Sequence, residues 1–438
     1  MADGFLSTDQ LVDRLARESF DRPPALVSNA HITGLGVARA LDRHDVPVIA
    51  LDRNGDGVAP PSNAIAYAGE VTYPLEDSDG FREDVERLVE AIGTDAVAFG
   101  CMDEWVHAYA ETTPAGVRLP FADYATVDRV LDKSSLYRIA DELDVPYPET
   151  YRLAETDVET AVEALGFPLV IKPALKREFE EAFGTNVMEV DDREELDALL
   201  AAIEDAGIEV LLQERVPIVQ GQDVSYVSYV PPSDDATVPD SDADTDDVDR
   251  ALGVVGNPLV RSPLSFGTSC VVDRVTMPEI ESRARSVLEA TGYDGISEAE
   301  FVYDGDREAY VLLDVNTRPW KWISMPVAAG ENLPLAAYAD AIDDPELATA
   351  AQPETAIDDV RWVSLRDYLS VLSSNPDFRD VLTESQWRSI ASGAFEADTT
   401  QSADGTRVAT GLYRPSDPGP TAKLIETEFA DREYYCSC

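Results

Sequence analysis

Apolar positions change rhythm along the chain. Up to about residue 125, short apolar runs alternate with amphipathic stretches. Ala25-Leu-Val-Ser and Val46-Pro-Val-Ile-Ala-Leu suit buried parallel strands. Between them Gly34-Leu-Gly-Val-Ala-Arg-Ala-Leu opens a helix, and the amphipathic stretch 81–92 leads into a third strand, Ala96-Val-Ala-Phe-Gly. This succession predicts a βαβ unit of the doubly wound kind. Gly34 and Gly36 lack the rest of a G-x-G-x-x-G, so close helix–strand packing explains them better than a dinucleotide does.

Beyond Leu131 the segments are more mixed. Residues 132–143 read as a helix, broken by Val145-Pro-Tyr-Pro. Strands follow at Phe167-Pro-Leu-Val-Ile-Lys-Pro and Glu209-Val-Leu-Leu-Gln-Glu, with a helix over 193–206 between them. Asp223-Val-Ser-Tyr-Val-Ser-Tyr-Val alternates with period two, which predicts a half-buried strand. An acidic stretch at about 231–249 has almost nothing to bury and reads as a solvated loop between strands. Gly253-Val-Val-Gly resumes the sheet, and the core segment is expected to close near Ala341. The rest reads as a small helical appendage and a polar tail.

Composition adds a constraint on habitat. The 438 residues carry 34 Lys+Arg against 85 Asp+Glu, a formal charge of −51. Lysine is nearly absent: only Lys133, Lys172, Lys176, Lys321 and Lys423 occur. Such a chain suits a cytoplasm of concentrated salt, where charges are screened within about 3 Å at 1 M. A haloarchaeal-type cytoplasmic protein is therefore expected. The chain holds no apolar run of eighteen residues, and its first residues lack a basic and apolar leader. The acidity argues against nucleic acid and anionic membrane as partners. Cys101, Cys270, Cys436 and Cys438 are too few for a disulfide scaffold, and the terminal pair reads as tail thiols rather than a zinc site. His31, His44 and His107 are scattered in the first part of the chain and make no histidine-based site.

Candidate chemistry concentrates in residues 297–320. Two apolar strands flank Asp304-Gly-Asp, which predicts a hairpin. If Asp304 pairs with Tyr310, Glu300 stands opposite Asp314, with Asn316 on the same face. Facing carboxylates repel, so the face either holds a cation such as Mg²⁺ or is a solvated acidic surface. Phe301, Tyr303, Val311, Leu313 and Val315 are expected on the other, apolar face. Lys172, ending a strand, is placed as a point charge for a phosphate, and Lys133 at a helix start can be read the same way. Gln213-Glu-Arg-Val can offer backbone groups to an adenine edge, with Asp223 accepting from a ribose. Asp103 and Glu104 follow a strand at the carboxyl-end crevice: Glu104 is a candidate for a substrate amine, and Asp103 is expected to cap a helix.

In this order and spacing these pieces resemble the ATP-grasp superfamily over roughly residues 25–345. Within it, Gly34–Leu41 and Asn316-Thr-Arg-Pro-Trp are similar to the carboxylate–amine ligase group related to D-aspartate ligase. The resemblance implies an α/β and α+β architecture. A Rossmann-like pre-ATP-grasp domain (1–125) would precede a two-lobed ATP-grasp domain (126–345) and a helical appendage (346–438). It further implies ATP and Mg²⁺ (or Mn²⁺) as cofactors. Lys133 and Lys172 would bind phosphates, Gln213, Glu214 and Val216 would form the adenine hinge, and Asp223 would hold the ribose. Glu300, Asp314 and Asn316 would take the metal, while Arg318 would steady the transferred phosphoryl or an oxyanion. Arg261 would lie near the acceptor. Asp314 departs from the usual Glu, and Lys176–Thr185 lacks the Gly/Ser richness of a phosphate-covering loop. The implied reaction joins a small carboxylate to an amine through an acyl phosphate. A kinase-like enzyme with a non-amine acceptor and a non-catalytic nucleotide-binding module are the alternatives.

Overall fold

The first apolar runs become a parallel sheet, seen in a computed structural model that describes residues 4–173, 179, 182–185, 187–219, 221–232, 251–264, 267–353, 357–396 and 402–428. Strands β1 (Ala25–Ser28), β2 (Val48–Asp52), β3 (Tyr67–Glu70), β4 (Ala96–Gly100) and β5 (Val117–Arg118) lie in the order β3-β2-β1-β4-β5. The order reverses direction between β1 and β4, which opens a crevice at their carboxyl ends. Gly36 lies in the helix Ile32–Asp42 after β1. A Cβ there would come 2.5 Å from Ile323 Cγ2, so the glycine serves close packing against a distant segment, and a nucleotide is not needed to explain it.

A second, antiparallel sheet contains β6 (Thr150–Arg152), β7 (Leu169–Pro173), β8 (Met188–Val190) and β9 (Val210–Glu214), ordered β6-β9-β7-β8. The helix Arg193–Ala206 buries Leu196 and Ile203 against it, beside Leu169, Ile171 and Leu212. The third sheet holds β10 (Val224–Val230), β11 (Leu252–Ser262), β12 (Thr268–Val275), β13 (Gly295–Asp304), β14 (Ala309–Asn316), β15 (Val360–Val363) and β16 (Arg407–Thr410). Its order is β14-β13-β10-β11-β12-β15-β16.

Two expectations change here. Strand β10 is buried on both faces, not half-buried. Val224 and Tyr226 join a core with the helices Lys133–Glu142 and Pro278–Thr291, while Val227 and Tyr229 join a core with the five-stranded parallel sheet. Its alternation separates two cores rather than core from solvent. The segment after Ala341 is also more than an appendage, because β15 and β16 extend the third sheet. Tyr368, Val371, Leu382, Ile390 and Phe395 pack onto Val260, Cys270 and Val271. Asp417 accepts from Arg39 at 2.8 and 3.0 Å and from Ser62 at 2.6 Å, tying this segment to the helix Ile32–Asp42 and the loop that holds Ser62. The acidic stretch 233–250, Cys436 and Cys438 lie outside the described residues.

One close contact fixes the wall of the site described below. Trp322 lies against Gly256 of β11, where a Cβ would come 2.5 Å from Trp322 Cη2. Gly256→Ala is expected to cost about 1–3 kcal/mol through overpacking, measured by urea unfolding. An unchanged midpoint would show that Trp322 can yield.

Candidate functional site

The β13–β14 hairpin opens one residue away from the expected register. Asp304 pairs with Ala309 and Tyr303 with Tyr310, a register that would set Glu300 opposite Leu313. A bulge after Glu300 removes Leu313 from the pairing. Glu300 then stands opposite Asp314, and Glu298 opposite Asn316. The expected carboxylate pair is thus present, but the bulge delivers it. The same bulge corrects the apolar face. Val311 and Leu313 turn to the site side with Val216 and Val302, while Phe301, Leu312 and Val315 fill the core.

Nor do the carboxylates face each other bare. Asp132 caps the helix Lys133–Glu142, accepting from Ser135 N at 2.8 Å, and so fixes Lys133 in its first turn. From there Lys133 Nζ donates to Asp314 Oδ1. Asn316 Nδ2 donates to Glu300 Oε1 at 2.8 Å and to Glu298 Oε2 at 3.3 Å. Glu298 is a site residue that the sequence reading passed over. Its position two before Glu300, on the same strand face, was the available signal.

These groups line one cavity of about 570 Å³. One end is apolar, with Leu131, Val170, Val216, Val302 and Leu313. Glu214 lines this end and pairs with Arg307 at 2.7 Å. Gln213 also lines it, but its side-chain amide donates inward, to Tyr137 Oη at 3.1 Å and Thr150 Oγ1 at 2.7 Å. Lys133 and Lys172 line the same cavity as the carboxylate row on β13 and β14. Arg261, Arg318, Trp320, Lys321 and Trp322 also line it.

Two residues given separate roles prove to be partners. Arg261 Nε donates to Asp223 Oδ2 at 3.0 Å, while Asp223 Oδ1 is buried without a hydrogen-bond partner. Burial raises the Asp223 pKa above its ordinary value, with Arg261 opposing. A buried acceptor left open at a cavity wall is a place for a ligand hydroxyl. Lys321, also passed over, donates to Asp367 Oδ2 at 2.6 Å and Thr268 Oγ1 at 2.8 Å. Through it the late segment supports the cavity wall.

Asp103 is not the helix cap that was expected. Met102 holds that position, and Asp103 Oδ1 accepts from Arg318 Nε at 2.6 Å. Burial works to lower the Arg318 pKa, but Asp103, Glu298 and Glu104 outweigh it and keep the guanidinium charged. Glu104 does not line this cavity; it accepts from Tyr73 Oη at 3.4 Å, and its charge acts on Arg318. Half of the expected phosphate-covering loop, Lys176–Thr185, lies outside the described residues.

The donor set can be tested for a metal. Among the described residues, no group of three or more His, Cys, Asp or Glu side chains is arranged to hold a metal ion. Glu300, Asp314 and the Asn316 carboxamide offer oxygen alone, which fits a hard cation whose shell is completed by phosphates and water.

No protein-family profile matches the chain. It is 28% identical over 215 residues to a D-aspartate ligase of Enterococcus faecium (strain Aus0004), covering 45% of this chain and 47% of that protein. The match thus spans about half the length of this curated relative. Among solved structures, the biotin carboxylase domain of Hydrogenobacter thermophilus 2-oxoglutarate carboxylase, in complex with MgADP, ADP and bicarbonate, superposes with a TM-score of 0.55 at 14% identity. That match covers 76% of this chain and 71% of the other. The L-amino acid ligase of Bacillus licheniformis gives 0.52 at 14% identity, covering 74% and 75%. The chain has the ATP-grasp fold. In ATP-grasp terms, the cavity lies between the four-stranded sheet, which supplies Val170, Lys172 and Gln213, and the seven-stranded sheet, which supplies the carboxylates.

Proposed function

We propose that this chain is a cytoplasmic, ATP-dependent carboxylate–amine ligase that forms an amide through an acyl phosphate. The observation that carries the reading is one cavity holding Lys133, Lys172, the Glu298/Glu300/Asp314/Asn316 row and Arg318 beside an apolar slot. The D-aspartate ligase match supports the ligase class.

The apolar end, with Val216, Val302 and Leu313, takes the adenine against the Gln213–Val216 segment. Lys133 and Lys172 hold phosphate oxygens as point charges. Glu300, Asp314 and Asn316 hold Mg²⁺, which when bound neutralises phosphate charge. Asp223 accepts from a ribose hydroxyl through its open Oδ1. Phosphoryl transfer needs mainly positioning and charge neutralisation. Arg318, kept cationic in a dry wall, stabilises the charge that develops on the transferred phosphoryl and the acyl oxygen. An amine then attacks the acyl carbon, the bond from that carbon to the phosphoryl-bearing oxygen breaks and phosphate leaves, with Arg261, beside Asp223, facing the acceptor. Among the described residues, no helix is long and apolar enough to cross a membrane.

Hydroxylamine trapping tests this. With Mg²⁺·ATP and a panel of small carboxylates, hydroxylamine is expected to yield a hydroxamate together with ADP. ADP release with a stable phosphorylated product and no hydroxamate would favour a kinase. Nucleotide binding without ADP release would favour a binding module.

A further inference from the structure

We propose that Asp103 is a positioning residue that aims Arg318 at the transferred phosphoryl, an inference that rests on the ligase reading above. Arg318 is 6% exposed and lines the cavity at the end of β14. Its Nε is held by Asp103 at 2.6 Å, from the first turn of helix Asp103–Thr112 in the other domain. Its Nη1 donates to the Pro319 carbonyl at 3.1 Å. Among the described residues Nη2 donates to no group, so the remaining edge of the guanidinium is the one left for a ligand.

A guanidinium in a dry wall among several acids has competing partners. Glu298 and Glu104 both act on Arg318, and Glu298 stands in the carboxylate row opposite Asn316. Asp103 decides among them by binding the Nε edge. Without its charge, Arg318 is free to swing toward Glu298, which would turn it from the phosphoryl and neutralise a carboxylate of the row. Arginine–carboxylate geometry is directional enough to make that choice matter. A shift of about 1 Å at a reacting group costs on the order of 100-fold in rate.

Asp103→Asn keeps the shape and removes the charge. It is expected to retain the thermal shift given by Mg²⁺·ADP and the KM for ATP within about 2-fold, while kcat falls by about 10- to 100-fold. The additional shift from aluminium fluoride with Mg²⁺·ADP, which mimics the phosphoryl in flight, is expected to shrink in the same variant. Asp103→Glu, which keeps the charge one methylene away, should recover part of kcat.

Wild-type kcat and an unchanged aluminium fluoride shift in Asp103→Asn would overturn the proposal. So would loss of the Mg²⁺·ADP shift in that variant, since Asp103 would then be structural. If Asp103→Asn does not fold, wild-type kcat in Asp103→Glu overturns the proposal, and a reduced kcat with KM for ATP intact supports it. A wild-type protein with no Mg²⁺·ADP shift and no ADP formation contradicts the ligase reading itself, so the two failures are distinguishable.

Discussion

Glu300→Gln and Asp314→Asn are expected to differ in the metal-free protein and to agree once Mg²⁺·ATP is added. Glu300 accepts from Asn316 and shares its sheet face with Glu298 and Asp314. A neutral glutamine keeps an acceptor oxygen for Asn316 and relieves like-charge crowding, so Glu300→Gln should be as stable as the parent or slightly more so. Asp314 is different because Lys133 depends on it, with the two side chains only 11% and 10% exposed. Asp314→Asn takes a carboxylate away from a mostly buried ammonium and should cost about 3 kcal/mol. Both variants should lower Mg²⁺·ATP-dependent turnover by at least about 100-fold, an effect at the upper end of what even metal-supporting residues show. Both should also lose most of the Mg²⁺·ATP thermal shift, because a ligand stabilises only through its binding. Near-parental turnover in either variant would contradict the metal assignment.

The second large effect concerns salt. Formal charge stands at −51, and the acids are spread along the chain. Local pairing meets only part of this: Arg193 bonds both Glu159 and Asp197 at 2.7 Å, but 85 acids have only 34 Lys and Arg to share. The excess must be screened by the solvent, and the Debye length falls from about 10 Å at 0.1 M salt to about 3 Å at 1 M. Between 0.1 M and about 2 M KCl, Tm is expected to rise by more than about 10 °C, several kcal/mol for a chain this long. A Tm indifferent to KCl would remove the basis for placing the chain in a salt-rich cytoplasm.

Local patterns were the legible part. The strand Ala96–Gly100, the helix Arg193–Ala206 and the β13–β14 hairpin follow from periodicity and turn residues close in sequence. The Glu300–Asp314 pair was also reachable, although through a register that the bulge contradicts. Sequence spacing cannot show a bulge, since one extra residue reverses which face each later side chain takes. That is why Leu313 was misplaced in the core.

What stayed hidden joins segments far apart. Asp103 and Arg318 are separated by 215 positions, and Arg39 and Asp417 by 378. Each bond is decided by how domains pack, about which local propensity says nothing. Lys133 was recognised as a candidate, but its attachment to Asp314 changes the expected stability of one variant and not the other. Lys321 was not singled out, because its partner Asp367 comes from the helix Leu365–Ser374, 46 positions on.

The most direct test of the ligase reading follows one oxygen atom. With a carboxylate substrate found by the hydroxamate screen, labelled with heavy oxygen in the carboxyl group, turnover with an amine should place one labelled oxygen in each phosphate released. That transfer requires attack of the carboxylate on the γ-phosphoryl, followed by cleavage at the acyl carbon. Unlabelled phosphate, with amide formed at the normal rate, would contradict the acyl-phosphate route.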